Sequence, residues 1–288
     1  MQIQRFIGIT SIIVLLLFSC VNSNNIRNAQ QLYDNGDYLK SIKMIDLLLK
    51  NDSAMNYSAI RLRGLCYYKI GNYIRTIDDL SMVCNHDSMD TLVFIRMVKA
   101  YEHMGKLESA LLTLNKLVNL NRMNIWALNE RGQVYVQIGL YDIAIDDFNA
   151  CIKVDSNSYI PYNNKGLALD YLGYHNEAVV CFKKAISLSK IDSKLYYNCG
   201  VAYLYMDSLL EAKNEFDIAI RINPNDTEYY ANRGIAYFKL KEKDSACLDW
   251  SKAINMGSAE ANRYFQEGCI KQVQSIFNGD KNKQNKPH

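Results

Sequence analysis

The 288-residue sequence predicts an all-α fold, an α-solenoid of about seven helix-turn-helix repeats closed by a C-terminal capping helix. Three observations carry this. Gly200, Ala212, Phe216 and Ala219 return 34 residues later as Gly234, Ala246, Trp250 and Ala253, and stand 34 residues earlier as Gly166, Ala178, Phe182 and Ala185. A period of this size, with small and aromatic residues in constant phase, marks stacked supersecondary units. Within one period, apolar residues fall at helical spacing in two runs, such as Tyr196, Cys199, Gly200 and Tyr203, then Ala212, Phe216 and Ala219. A short break separates the runs, so each unit reads as two antiparallel helices of about 14 residues, roughly 21 Å long.

The N-terminal segment 1–19 is a separate object. Arg5 supplies a positive start, and Phe6 to Phe18 is an apolar run of signal-peptide length, shorter than the ~20 residues a spanning helix needs. The run ends Leu17-Phe18-Ser19-Cys20 and turns polar at Asn22-Ser23-Asn24-Asn25, which resembles a bacterial lipobox. The resemblance implies a cleaved lipoprotein signal, acyl chains on Cys20 and a firm anchor in the lipid bilayer, since several chains hold where one is marginal. With no Asp after Cys20 and no acidic cluster beyond it, it further implies an outer-membrane lipoprotein facing the periplasm. A plain cleaved signal with Cys20 incidental is the alternative.

The array follows within residues 20–260, with repeats near 22–56, 57–90, 91–124, 125–158, 159–192, 193–226 and 227–260. Asn56, Asp90, Asn124, Ser158, Asp192 and Asp226 recur where first helices start, each able to cap free N–H groups for about 1 kcal/mol. Gly36, Gly71, Gly105, Gly139 and Gly173 recur between paired helices and suit a left-handed turn. The small position runs Ala29, Gly64, Val98, Gly132, Gly166, Gly200 and Gly234, followed by Ser41, Thr76, Ala110, Ala144, Ala178, Ala212 and Ala246. This order of Gly, Ala, aromatic, Ala and, at Pro224, Pro resembles the tetratricopeptide repeat over nearly the whole mature chain. The resemblance implies a right-handed superhelix whose first helices line a concave, protein-binding face. Three positions carry expectations. Val98 puts bulk in place of glycine, so repeat three should splay. Lys241 replaces a turn glycine, so the last turn should differ. The aromatic at Phe216 should fill the space between its repeat and the next.

Residues 259–277 carry one more helical pattern, of which 261–277 form the end cap that the last repeat's apolar face requires. Residues 278–288 are a polar, basic tail expected to be disordered.

A net charge of +3 with dispersed Lys and Arg excludes the basic stripe of a nucleic-acid-binding protein. Besides Cys20, the cysteines are Cys66, Cys84, Cys151, Cys181, Cys199, Cys247 and Cys269, odd in number and without CxxC pairs. They read as small buried hydrophobes rather than a disulfide or metal framework, with Cys181 and Cys199 the pair to inspect for bridging. The histidines His86, His103, His175 and His288 are isolated, and Asp78, Asp79, Asp146 and Asp147 read as solvated or capping carboxylates. No catalytic motif is present, so the chain reads as a non-enzyme without cofactor or metal.

The stripe of each first helix that turns away from the core offers a groove for a partner. Its N-terminal and middle part presents Arg61, Tyr68, Arg96, Lys99, Trp126, Asn129 and Gln133, with Leu65 and His103 between them. Its C-terminal part presents Asn163, Tyr171, Tyr197, Tyr205 and Phe238, with Leu167 and Ile235. Trp, Tyr and Arg are the side chains most often found as binding hot spots. The Lys/Asn clamp with which some tetratricopeptide domains hold acidic C-termini is disfavoured. Asn164, Asn198 and Asn232 match part of it, but Arg61 is followed by Leu65 and Asn163 by Leu167. The leading expectation is an envelope-anchored scaffold that holds an extended segment or helix of another protein in the groove. A glycan- or peptidoglycan-binding lipoprotein using Trp126 and Tyr197 is the rival. A hydrolase or transferase would require an Asp/Glu/His cluster in a pocket.

Overall fold

The structure, a computed structural model, describes residues 24–51, 56–86 and 90–270. The signal segment 1–19, Cys20, the tail 278–288 and the part of the capping segment beyond residue 270 lie outside the described residues. Every described element is a helix or a turn, and no described helix is long and apolar enough to cross a membrane. The chain divides into two compact units between Ala127 and Leu128.

The first unit holds α1 (24–34), α2 (Tyr38–Asn51), α3 (Tyr57–Lys69), α4 (Tyr73–His86), α5 (Thr91–His103) and α6 (Leu107–Leu120). The division falls within α7 (Ile125–Gln137). The second unit continues with α8 (Tyr141–Val154), α9 (Tyr159–Tyr171), α10 (His175–Leu188), α11 (Ser193–Tyr205), α12 (Leu209–Ile222), α13 (Thr227–Lys239), α14 (Lys243–Asn255) and α15 (Ala259–Phe265). From α2 to α6 in the first unit and from α8 to α15 in the second, consecutive helices pack against one another, the pattern of an α-solenoid.

Caps and turns explain where the helices begin and end. Asn56, Asp90, Asn124, Asp192 and Asp226 each accept a hydrogen bond from a first-turn N–H, whereas the Ser158 side chain makes none. The turns between paired helices place one residue at positive φ, as at Gly71 (76°) and Gly173 (83°). Asp207 (56°) and Lys241 (70°) hold the same conformation without being glycine. The last turn therefore does not differ. The Lys241 N–H donates to the Phe238 carbonyl and the Glu242 N–H to the Tyr237 carbonyl, matching Gly173 to Asp170 and Tyr174 to Leu169.

The small position exists to admit a ring. A Cβ on Gly132, Gly166, Gly200 or Gly234 would lie 2.5–2.7 Å from the ring of Phe148, Phe182, Phe216 or Trp250. Phe216 thus covers the glycine of its own repeat, while the equivalent rings Phe148 and Phe182 also pack with Ala168 and with Cys199 and Ala202 of the next repeat. In repeat three the volumes are exchanged relative to repeats four to seven, with Val98 fully buried and Leu114 standing where those repeats carry the ring. The pair α5 and α6 approaches less closely than α3 and α4 or α9 and α10, as the bulk at Val98 predicts. A cavity of about 510 Å³ lies among α4, α5 and α6, with Phe94, Met97 and Thr113 in its lining.

One further device ties helix to helix. Arg63, Arg131 and Arg233, each just before the small position, make two-pronged bonds to Asp79, Asp147 and Asp249 on the paired helix, at 2.7–2.8 Å. Arg63 and Arg233 also reach Asp46 and Asp217 on the preceding helix, both at 2.6 Å. Asp79 and Asp147 are buried and ion-paired, which corrects their reading as solvated or capping residues.

The array closes covalently. Cys247 on α14 and Cys269 in a π-turn (Gln266–Ile270) form a disulfide, which corrects the reading of all the cysteines as unpaired. Packing of α15 and the π-turn back onto α14 brings the two together across 22 residues. Cys181 and Cys199 stay free thiols, and burial pushes Cys199 up to about 12, with Glu215 adding to the effect.

Candidate functional site

In the second unit, amide side chains join each first helix to the next. Asn164 Nδ2 donates to Asn129 Oδ1 (2.8 Å), Asn198 Nδ2 to Asn163 Oδ1 (2.9 Å) and Asn232 Nδ2 to Tyr197 Oη (3.2 Å). Each rung spans 35 residues, one repeat plus one position. Asn129, Asn163 and Tyr197 are thus engaged in holding repeats together. Tyr197 is half-buried and packs against Tyr229 (5.1 Å) and Phe216 (6.0 Å). Burial, with Glu228 beside it, raises its pKa, so the phenol stays neutral.

Beside this ladder a cleft of about 490 Å³ opens between α9 and α11. Leu167 and Tyr171 lie one turn apart on α9, and Tyr197, Val201 and Tyr205 follow the same stripe on α11, so helical periodicity makes the two walls. Tyr171 and Tyr205 are 62% and 70% exposed, unusual for large rings in so regular a packing. Tyr171 stacks on Tyr141 (5.3 Å) and Tyr205 on His175 (5.2 Å). His175 Nδ1 lies 2.6 Å from Asp170 Oδ1, which fixes the imidazole at the rim. A smaller cavity of about 200 Å³, lined by Gln133, Val136, Gln137, Phe148 and Asn164, shares Leu167 with the cleft.

The other expected groove residues are placed differently. In the first unit, Arg61 is paired with Asp90, Arg96 sits over the ring of Tyr68 (5.2 Å), and Lys99 contacts Glu102 (3.0 Å). Leu65 is buried, Trp126 is half-buried, and Phe238 packs on Trp250 (5.5 Å). The cationic character expected of the groove is therefore largely spent on internal pairing. Asp170 and His175 also lie in the cleft, a pairing that the reading of His175 as isolated did not anticipate. The five-residue step across a tight turn, with a glycine at 173, was the available signal. The dyad positions an imidazole, but no Ser, Thr or Cys lines the cleft, so the constellation is not that of an acyl-transfer site. Among the described residues no group of three or more His, Cys, Asp and Glu side chains could hold a metal.

A sequence profile of the tetratricopeptide repeat matches residues 127–158 and 161–192. Both stretches are tetratricopeptide repeats. Solved tetratricopeptide structures share the fold. A tetratricopeptide repeat protein from Parabacteroides merdae is 20% identical, with a TM-score of 0.67 over 85% of this chain and 97% of its own. The C-terminal part of a TPR repeat-containing protein from Cytophaga hutchinsonii is 17% identical, with a TM-score of 0.66 over 83% and 98%. YrrB, described as a TPR protein with an unusual peptide-binding site, is 20% identical, with a TM-score of 0.52 over 64% and 96%. No curated protein matches the sequence. The tetratricopeptide matches indicate no catalytic family, and such repeats generally serve as interaction scaffolds.

Proposed function

We propose that this chain is an interaction scaffold that holds a segment of a partner protein against the first helices of its second unit, with the α9–α11 cleft as the principal seat. The observation that carries this is the pair of exposed rings, Tyr171 and Tyr205, flanking an apolar floor of Leu167 and Val201. Exposed tyrosines beside a concave apolar surface are the anchors that protein interfaces use. YrrB, of the same fold, is described as having a peptide-binding site, which supports the class of ligand. A photo-crosslinking amino acid at Tyr171 or Tyr205 should capture a partner protein in the host, whereas one at exposed Val180 or Leu248 on the second helices should not. Capture only from Val180 or Leu248 would overturn the proposal.

We further propose that the scaffold belongs to the bacterial envelope, anchored through acylated Cys20 to the outer membrane and facing the periplasm. The sequence at Leu17-Phe18-Ser19-Cys20 supports this, and a disulfide at Cys247–Cys269 suits an oxidising compartment. Metabolic labelling with a fatty-acid precursor, with Cys20→Ala as control, tests it; an unlabelled wild type rules the anchor out. A glycan-binding reading is favoured by the same exposed rings beside Asp170 and Asn198, not by Trp126 and Tyr197. Binding of sugar oligomers that is lost on Tyr171→Ala would select it.

A further inference from the structure

We infer that the cleft between α9 and α11 is a seat for a basic side chain of the partner segment, a lysine ammonium or an arginine guanidinium. This rests on the groove reading above and names what the groove selects.

The cleft offers hydrogen-bond acceptors and π-faces, and no Lys or Arg lines it. The rungs of the ladder explain why. Asn198 spends one N–H of its amide on Asn163 Oδ1 and keeps its own carbonyl oxygen as an acceptor for a ligand. Asp170 commits Oδ1 to His175, and among the described residues no bond engages Oδ2, while its side chain is only 14% exposed. A partly buried carboxylate strengthens any charge-assisted bond made to it. Asp226 and Glu228 stand close enough to act on the Tyr197 phenol and add negative potential on its side of α11.

The walls complete the match. Tyr171 and Tyr205 present rings from opposite sides, and a cation close to such a ring gains about 0.5–2 kcal/mol according to its desolvation. On the next repeat, Lys239 closes its helix where Tyr171 and Tyr205 close theirs, and its ammonium is already paired with Asp207 (3.0 Å). The seat is thus confined to the cleft between repeats five and six. An acidic side chain placed there would face Asp170 with no Lys or Arg in the lining to offset it, so the same chemistry disfavours acidic segments.

The test is to select a random nonapeptide display library on the full chain in detergent and measure the affinities of the selected peptides. The expected result is a Lys or Arg recurring at one position, with its replacement by Met weakening binding about tenfold. Asp170→Asn, which keeps an oxygen to accept from His175, should weaken the basic peptide by a similar factor and leave the Met peptide unchanged. A merely structural role for Asp170 would affect both peptides. If the basic residue proves dispensable while Tyr171→Ala and Tyr205→Ala abolish binding, the cation seat is wrong and the groove reading stands. If no peptide is selected, or if cleft variants leave binding intact, the groove reading falls with it. Binding of N-acetylglucosamine oligomers in place of peptides, lost on Tyr171→Ala, would assign the cleft to glycans and overturn the inference.

Discussion

At Asp207 and Lys241 the backbone takes the left-handed turn that glycine holds in the other helix pairs. For an L-residue this conformation costs about 1–2 kcal/mol, and Lys lacks the short polar side chain that lets Asp tolerate it. Lys241→Gly should therefore raise stability by up to about 1 kcal/mol after the entropy cost of glycine is counted, and Gly173→Ala should lower it by about 1–2 kcal/mol. Thermal unfolding of the two variants checks both signs. A second residue-scale prediction concerns the exchange of volume at Val98 and Leu114. Val98→Gly alone should cost about 2–4 kcal/mol, from lost burial and lost helix propensity. Leu114→Phe alone should cost about 1–3 kcal/mol by overpacking. Combined, they recreate the glycine–ring pair of repeats four to seven, so the double variant should lose less than the sum of the singles. Strict additivity in denaturant titrations would show that the two side chains do not share one space.

Between elements, the covalent clasp and the buried charges make the sharper predictions. The Cys247–Cys269 link closes a 22-residue separation, which in chain-entropy terms stabilises by about 3 kcal/mol. Cys247→Ser with Cys269→Ser should show that loss and become insensitive to reductant, whereas Cys181→Ser with Cys199→Ser should leave the effect of reductant unchanged. On α12, burial raises the Glu215 carboxyl above the ordinary glutamate range, and Lys183 only partly offsets it. The folded state thus binds this proton more tightly than the unfolded state. Its contribution is full in acid, below the unfolded value, and is lost as pH rises through the raised folded value. Glu215→Gln should accordingly be more stable than the parent near pH 7, with the gain shrinking toward pH 4. Urea midpoints across that range decide it. A gain that instead grows with acid would reverse the assignment.

Across the whole molecule, the sequence disclosed what depends on the period and missed what depends on which neighbour a side chain chooses. The 34-residue recurrence of Gly200 and Phe216 revealed the helix pairs, their turns and most of their caps. The Arg63–Asp79 type of pairing lay hidden because its partners are 16 residues apart and absent from several repeats. The groove stripe was legible as a set, yet nothing in the sequence distinguished Asn163, consumed by its neighbour, from Tyr171, left to solvent. Cys247 and Cys269 were missed because the π-turn that brings them together breaks the pattern of a single helix over 259–277. No buried side-chain nitrogen or oxygen among the described residues lacks a partner, so the arginine pairs and amide rungs satisfy what the helix packing buries. The rungs have a consequence for how such a chain changes length. Each links one residue to another 35 positions along and makes no demand on more distant modules. A whole module can be copied or deleted in the interior, and the seams on either side re-form from the same few residue types. The clasped end has no such freedom, because a copy placed between Cys247 and Cys269 would part the two sulfurs and strip Trp250 of the Gly268 backbone that covers it. Growth by duplication belongs to the middle of this chain, and its last hairpin is where the count stops.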